Sequence, residues 1–242
     1  MELNKIYKDE WINVLKKIED NSIDLICGDP PYGINYNKNE WDNLNSFDPF
    51  IFFGESFSKL KKNGNLIVFS GWSNINRLLN AYENLLLHGM PYLLKNIITW
   101  DRQKTKNGGL KNFTSAAEFI LWITKGDHYT FNKEDSKIVK KTKGGYGTKN
   151  GSIFRRTSNV WTGISPIHYK SKEYTGYDCQ KPLALMQKII RIFSNPGDTV
   201  LDLFCGSGST LEAAKIEGRN YIGGDSSDEA IKISTKRLEK YV

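Results

Sequence analysis

Cysteine, histidine and long apolar runs are scarce in this sequence, and each scarcity excludes a class of protein. Three cysteines and three histidines occur in 242 residues. Cys27, Cys179 and Cys205 show no Cys-x-x-Cys spacing and the histidines are scattered, so neither a disulfide framework nor a zinc site is predicted. No apolar run approaches the ~20 residues that a membrane-spanning helix needs. Residues 1–11 are charged and contain no apolar signal segment, which favours an intracellular protein.

Basic residues outnumber acidic ones, and the excess is unevenly distributed. The formal net charge is +7, from 34 Lys or Arg against 27 Asp or Glu. Residues 126–178 carry ten Lys or Arg and five Asp or Glu, and residues 95–111 carry five against one. The rest of the chain is close to neutral. A basic segment on a neutral scaffold is typical of proteins that contact a phosphate backbone, although lysine-rich stretches also occur as solvated loops.

The tetrapeptide Asp29-Pro30-Pro31-Tyr32 is the most informative motif. It follows an apolar run, residues 23–27, that is typical of a buried strand. Two prolines cannot continue that strand, because neither has an N–H group for the sheet. A carboxylate, a rigid backbone and an aromatic ring therefore lie together at the carboxyl end of a strand, where ligands bind in open α/β sheets. A surface turn that contains prolines is the alternative.

A second motif begins with the apolar run of residues 199–204 and continues into the glycine-rich segment of residues 205–210. A helical stretch follows, then a short strand at residues 220–223 that ends before Asp225. This is a nucleotide-binding layout, since glycines let the backbone approach a ligand closely. Leu211 stands where the dinucleotide fingerprint has its third glycine, so a pyrophosphate ligand is not favoured. An acid after the second strand suits a ribose with two free hydroxyls.

Strands that alternate with helices predict the fold class. Further strands are predicted at residues 66–69, 97–100 and 119–124, and helices at residues 9–19, 50–60, 73–87 and 211–217, from Pro182, and after Ser227. We expect Ser73 to cap the third helix, and Lys61 and Lys62 to lie in the last turn of the second. The pattern predicts one α/β domain, residues 1–242, with a doubly wound, mostly parallel sheet and an irregular insertion at residues 126–178.

With these motifs the chain resembles the amino-group DNA methyltransferases that use S-adenosylmethionine, in the subgroup called the β class. That family has the Asp-Pro-Pro-Tyr motif first, then a target-recognition segment, a Gln-Lys-Pro element and the glycine-rich loop. The chain has all four in this order, with Gln180-Lys181-Pro182 before the loop, and the resemblance covers residues 23–238. Two positions depart from the pattern: residues 177–179 lack the family's histidine, and Asp225 stands where glutamate is common.

The resemblance implies a Rossmann-like methyltransferase fold and roles for individual residues. The candidate catalytic residues are Asp29, Pro30, Pro31 and Tyr32. Asp29 and the carbonyl of Pro30 would accept the hydrogen bonds of the target amine, and Tyr32 would stack on the base. The candidate cofactor-binding residues are Asp29, Lys181, Pro182, Asp202, Phe204, Gly206, Ser207, Gly208, Ser209, Asp225 and Ser226. Lys181 is expected to pair with the methionine carboxylate and Asp225 to hold the ribose. No metal is expected, because the methyl donor is already activated.

The expected partner is double-stranded DNA with the target base flipped out of the helix. The candidate DNA-binding residues are Arg102, Lys104, Lys106, Lys140, Lys141, Lys143, Arg155 and Arg156. Residues 126–178 are the expected target-recognition insertion, and residues 104–112 are expected to form a mobile loop. A homodimer and a separately encoded restriction endonuclease stay open as further partners. The expected location is the cytoplasm, for a bacterial, archaeal or phage-encoded protein.

The predicted reaction is site-specific transfer of a methyl group from S-adenosylmethionine to the N6 amine of adenine in DNA. Transfer to the N4 amine of cytosine is the main alternative, because it uses the same geometry; Asp29 at the first motif position favours adenine in this family. An RNA or protein-amide methyltransferase and a non-catalytic DNA-binding regulator are less well supported. The basic insertion and the motif order argue against the former, and the intact tetrapeptide and glycine-rich loop argue against the latter.

Overall fold

An eight-stranded β-sheet organises the chain. The computed structural model describes residues 1–34, 42–43, 45–102, 111, 113, 115–139, 154–156 and 158–241. The strands are β1 (Lys5–Lys8), β2 (Ile23–Gly28), β3 (Leu60–Ser70), β4 (Tyr92–Asp101), β5 (Ala117–Lys125), β6 (Lys137–Val139), β7 (Phe154–Arg156), β8 (Val160–Trp161), β9 (Thr199–Asp202) and β10 (Asn220–Asp225). The helices are α1 (Trp11–Lys16), α2 (Pro49–Lys59), α3 (Ile75–Leu87), α4 (Leu183–Phe193), α5 (Ser209–Ile216) and α6 (Asp228–Glu239).

Neighbouring strands of the large sheet run mainly parallel, in the order β1-β10-β9-β2-β3-β5-β4-β8. The pairs from β1 to β3 are all parallel, whereas β5 is antiparallel to both β3 and β4, and β8 is parallel to β4. The expected doubly wound, mostly parallel α/β sheet is confirmed. Among the described residues, no helix combines the length and the apolar character needed to cross a membrane.

The central strands are buried on both faces, as parallel strands covered by helices usually are. In β2, Ile26 joins the core that α1, α2 and α3 cover, and Leu25 joins the core that α4, α5 and α6 cover. Neither side chain is more than 1% exposed. Burying a side chain of this size stabilises a fold by about 1.5–3 kcal/mol. The register of β2 is therefore strongly fixed, and with it the position of the segment that follows β2.

One predicted helix end is wrong. The helix α2 ends at Lys59 and the chain enters β3 at Leu60, so Lys61 and Lys62 lie in a strand rather than in a last helical turn. The reason is sheet pairing, because Leu60 already lies beside Ile23 of β2 and is fully buried. The pairing of β3 with β2 therefore ends the helix α2 earlier than the spacing of its apolar residues predicts.

Two further local features differ from the prediction: the start of the helix α3 and the presence of the strand β1. The helix α3 begins after Asn74, so Ser73 is not its cap. The edge strand β1 is absent from the prediction, because four half-exposed residues carry too little apolar pattern; it forms by parallel pairing with β10.

The basic insertion is less irregular than expected. Its described backbone contains the antiparallel pair β6 and β7, and the strand β8, whose Val160 lies beside Thr99 of β4. Of the expected mobile loop at residues 104–112, only Lys111 belongs to the described residues.

The first turn of α5 packs very closely on β10. Leu211 is fully buried, and a Cβ atom added to Gly223 would lie 2.5 Å from its Cδ1 atom. In the dinucleotide fingerprint a glycine of the helix makes this close packing possible. Here the glycine belongs to the strand and the helix carries the large side chain, so the missing third glycine is compensated from the other side of the contact.

We predict that Gly223→Ala destabilises the protein by about 1–3 kcal/mol, because the added methyl group forces Leu211 out of its rotamer. Leu211→Ala alone should cost about 2–5 kcal/mol, because it leaves a cavity. The double variant should cost less than the sum, since the new methyl group fills part of that cavity. Urea unfolding of the four proteins measures the coupling; strictly additive costs would mean that the two positions do not compete for the same space.

Candidate active site

The two sequence motifs meet at one edge of the sheet. The strands β2 and β9 are parallel neighbours, with Leu25 beside Val200 and Ile26 beside Leu201. Their carboxyl ends therefore lie side by side, and the segments that follow them open into one cleft of about 1280 Å³. Pockets for a single small ligand have volumes of about 300–1,000 Å³. A cleft of this size has room for two ligands, as a group-transfer reaction requires.

Most of the candidate site residues line this cleft. The lining contains the catalytic candidates Asp29, Pro30, Pro31 and Tyr32 and the cofactor candidates Lys181, Asp202, Phe204, Gly206, Ser207, Ser209, Asp225 and Ser226. The two remaining cofactor candidates support the site from behind. Pro182 is the N-cap residue of α4, and Gly208 is the N-cap residue of α5.

Asp29 is held in place and is still reachable from the cleft. Its side chain is 24% exposed, its Oδ1 atom lies 2.7 Å from the Tyr32 hydroxyl, and its Oδ2 atom forms a close ion pair with the Lys181 ammonium. Burial raises the pKa of Asp29, and Lys181 offsets this only in part. Burial also raises the pKa of the Tyr32 hydroxyl, so this hydroxyl stays a proton donor.

Glu118 of β5 completes this group, and the sequence analysis did not identify it. Its Oε1 atom lies 2.8 Å from the Tyr32 hydroxyl and 2.9 Å from Lys181 Nζ, and its Oε2 atom lies 3.7 Å from Arg102 Nη1. Burial disfavours its charge, but Lys181, Tyr32 and Arg102 outweigh that effect and lower the pKa of Glu118. The available signal was a single acid directly before the apolar run of residues 119–123, because such a residue is rarely buried unless it is paired.

The Gln-Lys-Pro element is anchored so that Lys181 points at Asp29. The Gln180 side chain accepts a hydrogen bond from the backbone N–H of Thr175 at 2.9 Å and donates one to the carbonyl of Glu173 at 2.8 Å. Glu173 in turn accepts a hydrogen bond from the N–H of Leu183 at 2.6 Å, which satisfies an open donor of α4. The ammonium of Lys181 thus reaches Asp29 and Glu118, and no methionine carboxylate is needed to explain its position.

The glycine-rich loop folds against the acid that follows β10. The N–H of Gly206 donates to Asp225 Oδ2 at 2.8 Å, and the N–H of Ser227 donates to Asp225 Oδ1 at 3.0 Å. Gly206 has a φ of 47°, and a Cβ atom there would lie 2.8 Å from the Tyr177 ring. Gly208 has a φ of 78°, and a Cβ atom there would lie 2.9 Å from Ser234 Cβ. Both positions therefore require glycine, for conformation and for space.

Two further residues link the motifs. Asp202, at the end of β9, accepts a hydrogen bond from the N–H of Phe204 at 3.0 Å, and burial raises its pKa to about 7. Phe204 packs between Gly28 and the ring of Phe47, whose centroid lies 5.5 Å away, and also lines the cleft. Phe204 is therefore both a core residue and part of the cleft wall.

Tyr177 occupies the cleft where the family pattern has a nearby histidine. Its ring packs on Gly206, and burial together with the charge of Asp225 raises the pKa of its hydroxyl. It is a second site residue that the sequence analysis missed, because nothing in the sequence indicates that Tyr177 and Gly206 touch.

The candidate DNA-binding residues are only partly described. Arg102 lines the cleft, and its Nη2 atom donates a hydrogen bond to the carbonyl of Ser115 at 3.2 Å. The backbone of Arg155 and Arg156 lies in β7. The remaining candidates lie outside the described residues: Lys104, Lys106, Lys140, Lys141 and Lys143.

The residues of the cleft fit S-adenosylmethionine. A nucleoside needs an acceptor for its ribose hydroxyls, and Asp225 supplies a carboxylate that lines the cleft. A close approach of the loop backbone needs a residue without a side chain in the cleft wall, and Gly206 meets that need. The amino-acid part of the cofactor is polar and needs charged or hydroxyl groups around it. Ser207 and Ser209 provide hydroxyl groups in the same wall.

Comparison with known proteins places this geometry in a family. The sequence profile of the DNA methylase family matches residues 23–236. The chain is 32% identical over 257 residues to the type II methyltransferase M1.MboII of Moraxella bovis, covering 96% of the chain and 95% of that protein. It is also 32% identical over 243 residues to the DNA adenine methyltransferase YhdJ of Escherichia coli (strain K12), covering 93% of the chain and 79% of that protein.

Solved structures share the fold. The M1.HpyAVI–SAM complex aligns with a TM-score of 0.65 at 25% identity, covering 97% of the chain and 99% of that protein. The cytosine-N4-specific PvuII DNA methyltransferase aligns with a TM-score of 0.74 at 18% identity, covering 98% and 87%. The predicted family and cofactor are confirmed: the chain belongs to the DNA methylase family and is an S-adenosylmethionine-dependent amino-group DNA methyltransferase of the β class.

Proposed function

We propose that the protein methylates the N6 amine of adenine at a specific DNA sequence. The observation that carries this proposal is the position of Asp29, a cleft-facing carboxylate that directly precedes two prolines at the end of β2. An aspartate at this motif position favours adenine over cytosine in the family. The similarity to a relative named as a DNA adenine methyltransferase supports the same choice.

The chemistry of the target explains the residues. The lone pair of an exocyclic amine is delocalised into the base, so the nitrogen is a poor nucleophile. Asp29 accepts one N–H bond and the carbonyl of Pro30 accepts the other, which draws the nitrogen toward tetrahedral geometry and localises its lone pair. Fixed acceptors need no rearrangement as positive charge develops on the nitrogen. The C–N bond would form as the bond between the methyl group and the sulfur breaks, and the proton would then pass to solvent. Tyr32 stacks on the base, and the two prolines fix the direction of the Pro30 carbonyl.

The second part of the cleft holds the methyl donor. S-adenosylmethionine, when bound, supplies a methyl group on a sulfonium, so no metal or covalent enzyme intermediate is required. Asp225 would accept hydrogen bonds from the ribose hydroxyls, and Gly206 would let the loop backbone lie close to the cofactor. The rest of this wall is formed by Lys181, Asp202, Phe204, Ser207, Ser209 and Ser226, and Pro182 and Gly208 support it from behind.

The target base must leave the duplex, because an amine inside the base stack cannot reach the cleft floor. We assign the positioning of the duplex to the basic insertion, residues 126–178, together with Arg102. Lysines and arginines there would contact phosphates, which fix register without reading sequence. A separately encoded restriction endonuclease and a cytoplasmic location belong to the same proposal, since bacterial type II methyltransferases are among the relatives. A homodimer stays an open alternative.

The identity of the methylated base is the direct test. DNA from cells that express the protein should contain N6-methyladenine at one sequence motif, and DNA from cells that express Asp29→Ala should not. Mass spectrometry of the nucleosides identifies the base, and sequencing with a modified-base readout identifies the motif. N4-methylcytosine in place of N6-methyladenine would establish the alternative, and the absence of both would contradict the proposal.

We predict that Asp29→Ala lowers the transfer rate by about 10²–10³, since a preorganised contact to developing charge has this effect. The Kd for S-adenosylmethionine should change little, because Asp29 faces the amine side of the cleft. Single-turnover rates and calorimetry on the folded variant separate the two quantities. A folded Asp29→Ala protein with near-normal turnover would contradict the mechanism.

Asp225→Ala should show the opposite pattern. Losing a hydrogen bond to a charged acceptor costs about 1.5–3 kcal/mol, which weakens cofactor binding roughly 10- to 100-fold. The rate at saturating cofactor should fall less, because the ribose contact barely changes during transfer. Asp228→Ala is the matched control, since Asp228 lies nearby at the start of α6 and pairs with Lys8 at 2.5 Å. Equal affinities for the two variants would move the ribose contact away from Asp225.

A further inference from the structure

Glu118 is a buried carboxylate that neither the sheet nor the core requires. It lies on β5 beside Trp100 of β4, and only 6% of its surface is exposed. Its neighbours in the strand are apolar, so an apolar residue at this position would satisfy the sheet equally well. A buried charge is costly unless it is paired and hydrogen-bonded. Its position therefore needs an explanation from the cleft that it lines.

Glu118 and Asp29 bind the same two partners. Lys181 Nζ lies 2.9 Å from Glu118 Oε1 and also forms a close ion pair with Asp29. The Tyr32 hydroxyl lies 2.8 Å from Glu118 Oε1 and 2.7 Å from Asp29 Oδ1. The hydroxyl has one proton, so it donates to one carboxylate at a time. The two carboxylates thus share one ammonium, which has three donors, and compete for the single proton of one hydroxyl.

This competition matters for the acceptor role of Asp29. The target amine must reach an Asp29 oxygen, yet both oxygens already have a partner in the structure. Each Asp29 oxygen can accept a second hydrogen bond, but without Glu118 the whole charge of Lys181 would stay on Asp29 and weaken it as an acceptor for the amine. With Glu118, each partner can turn toward the second carboxylate and remain bonded. Lys181 and the Tyr32 hydroxyl, with a smaller contribution from Arg102 at 3.7 Å, lower the pKa of Glu118 and keep it in the charged form that this exchange needs.

We propose that Glu118 is a positioning residue that draws Lys181 and the Tyr32 hydroxyl away from Asp29 when the target amine binds. The proposal rests on the proposed function, because it concerns how Asp29 becomes available to that amine. Glu118 itself need not touch the base. The proposal predicts that removing the charge of Glu118 leaves cofactor binding intact but keeps Lys181 and the Tyr32 hydroxyl on Asp29, which then accepts the amine poorly.

The key variant is Glu118→Gln, and the chain offers a closely matched control. Glu212 of α5 is 1% exposed and has the same kinds of partner. These are Arg237, Lys240 at 2.5 Å and the Tyr241 hydroxyl at 2.8 Å. Glu212→Gln therefore also removes a buried, paired carboxylate, but one outside the cleft. Both variants should lose stability, so only effects specific to Glu118 report on the proposal.

Methyl transfer to duplex DNA by the wild-type protein is established first. Single-turnover rates at saturating S-adenosylmethionine and DNA are then measured from about pH 5 to about pH 9, to follow the loss of a proton from Asp29. For Glu118→Gln we expect a plateau rate at least ~10-fold lower and an acidic limb at lower pH, with an unchanged cofactor Kd. The limb moves down because Asp29 loses a negative neighbour and gains the whole of Lys181. If Glu118→Gln and Glu212→Gln have the same rates and the same acidic limb of the pH–rate profile, the proposal is overturned.

A second measurement works without turnover. The charged or titratable groups around Asp29 are Lys181, Glu118, Tyr32, Cys27, Cys179 and Asp202. Because the pKa of Asp202 is raised to about 7, a site-resolved signal is needed. Carboxyl NMR, with Asp29 assigned by Asp29→Asn, should show its midpoint lowered in Glu118→Gln and raised in Lys181→Met.

The two readouts separate the two claims. A wild-type protein that transfers no methyl group to DNA would contradict the proposed function, and the titration would still test the shared partners. An active wild type with unchanged Asp29 midpoints in both variants would contradict the role of Glu118 alone.

Discussion

The site depends on the parallel pairing of β2 with β9. Strand order reverses at this pair, because β3 lies beyond β2 on one side and β10 beyond β9 on the other. Ligands bind at such a reversal in open α/β sheets. The approach is close: a Cβ atom on Gly28 would lie 3.2 Å from the Phe204 ring. Buried aliphatic side chains on both faces fix the register, so the core of the protein sets the distance between the Asp-Pro-Pro-Tyr tetrapeptide and the glycine-rich loop.

That geometry concentrates negative charge. Asp29, Glu118, Asp202 and Asp225 all line one cleft. The chain stabilises them in different ways. Backbone N–H groups bind Asp225 and Asp202, whereas Lys181 lies between Asp29 and Glu118. A rigid set of backbone donors suits a carboxylate that holds a ligand in the ground state. A movable ammonium suits a carboxylate whose partner changes during a reaction, which agrees with the role proposed for Asp29 beside Lys181.

The sequence predicts the parts of the site that are local and misses those that need tertiary structure. Asp29 follows its strand directly and Gly206 lies in a turn between strand and helix, so chain order alone places both at the sheet edge. Glu118 lies 86 residues from Tyr32, and the contact depends on the antiparallel pairing of β5 with β3. No spacing rule predicts it. The orientation of Lys181 toward Asp29 also needs the anchoring of Gln180, whose partners come from an insertion with little periodicity.

Leu211 shows how a departure from a motif can preserve its physical purpose. The close contact between the first helical turn and the neighbouring strand needs one side without a side chain, and either side will serve. In this chain Gly223 supplies the space, so Leu211 can be fully buried under the loop. The large side chain adds apolar surface to the core that α4, α5 and α6 cover. A nucleoside cofactor without a pyrophosphate does not need a helix N-terminus cleared for phosphate oxygens, so a leucine at this position is compatible with S-adenosylmethionine.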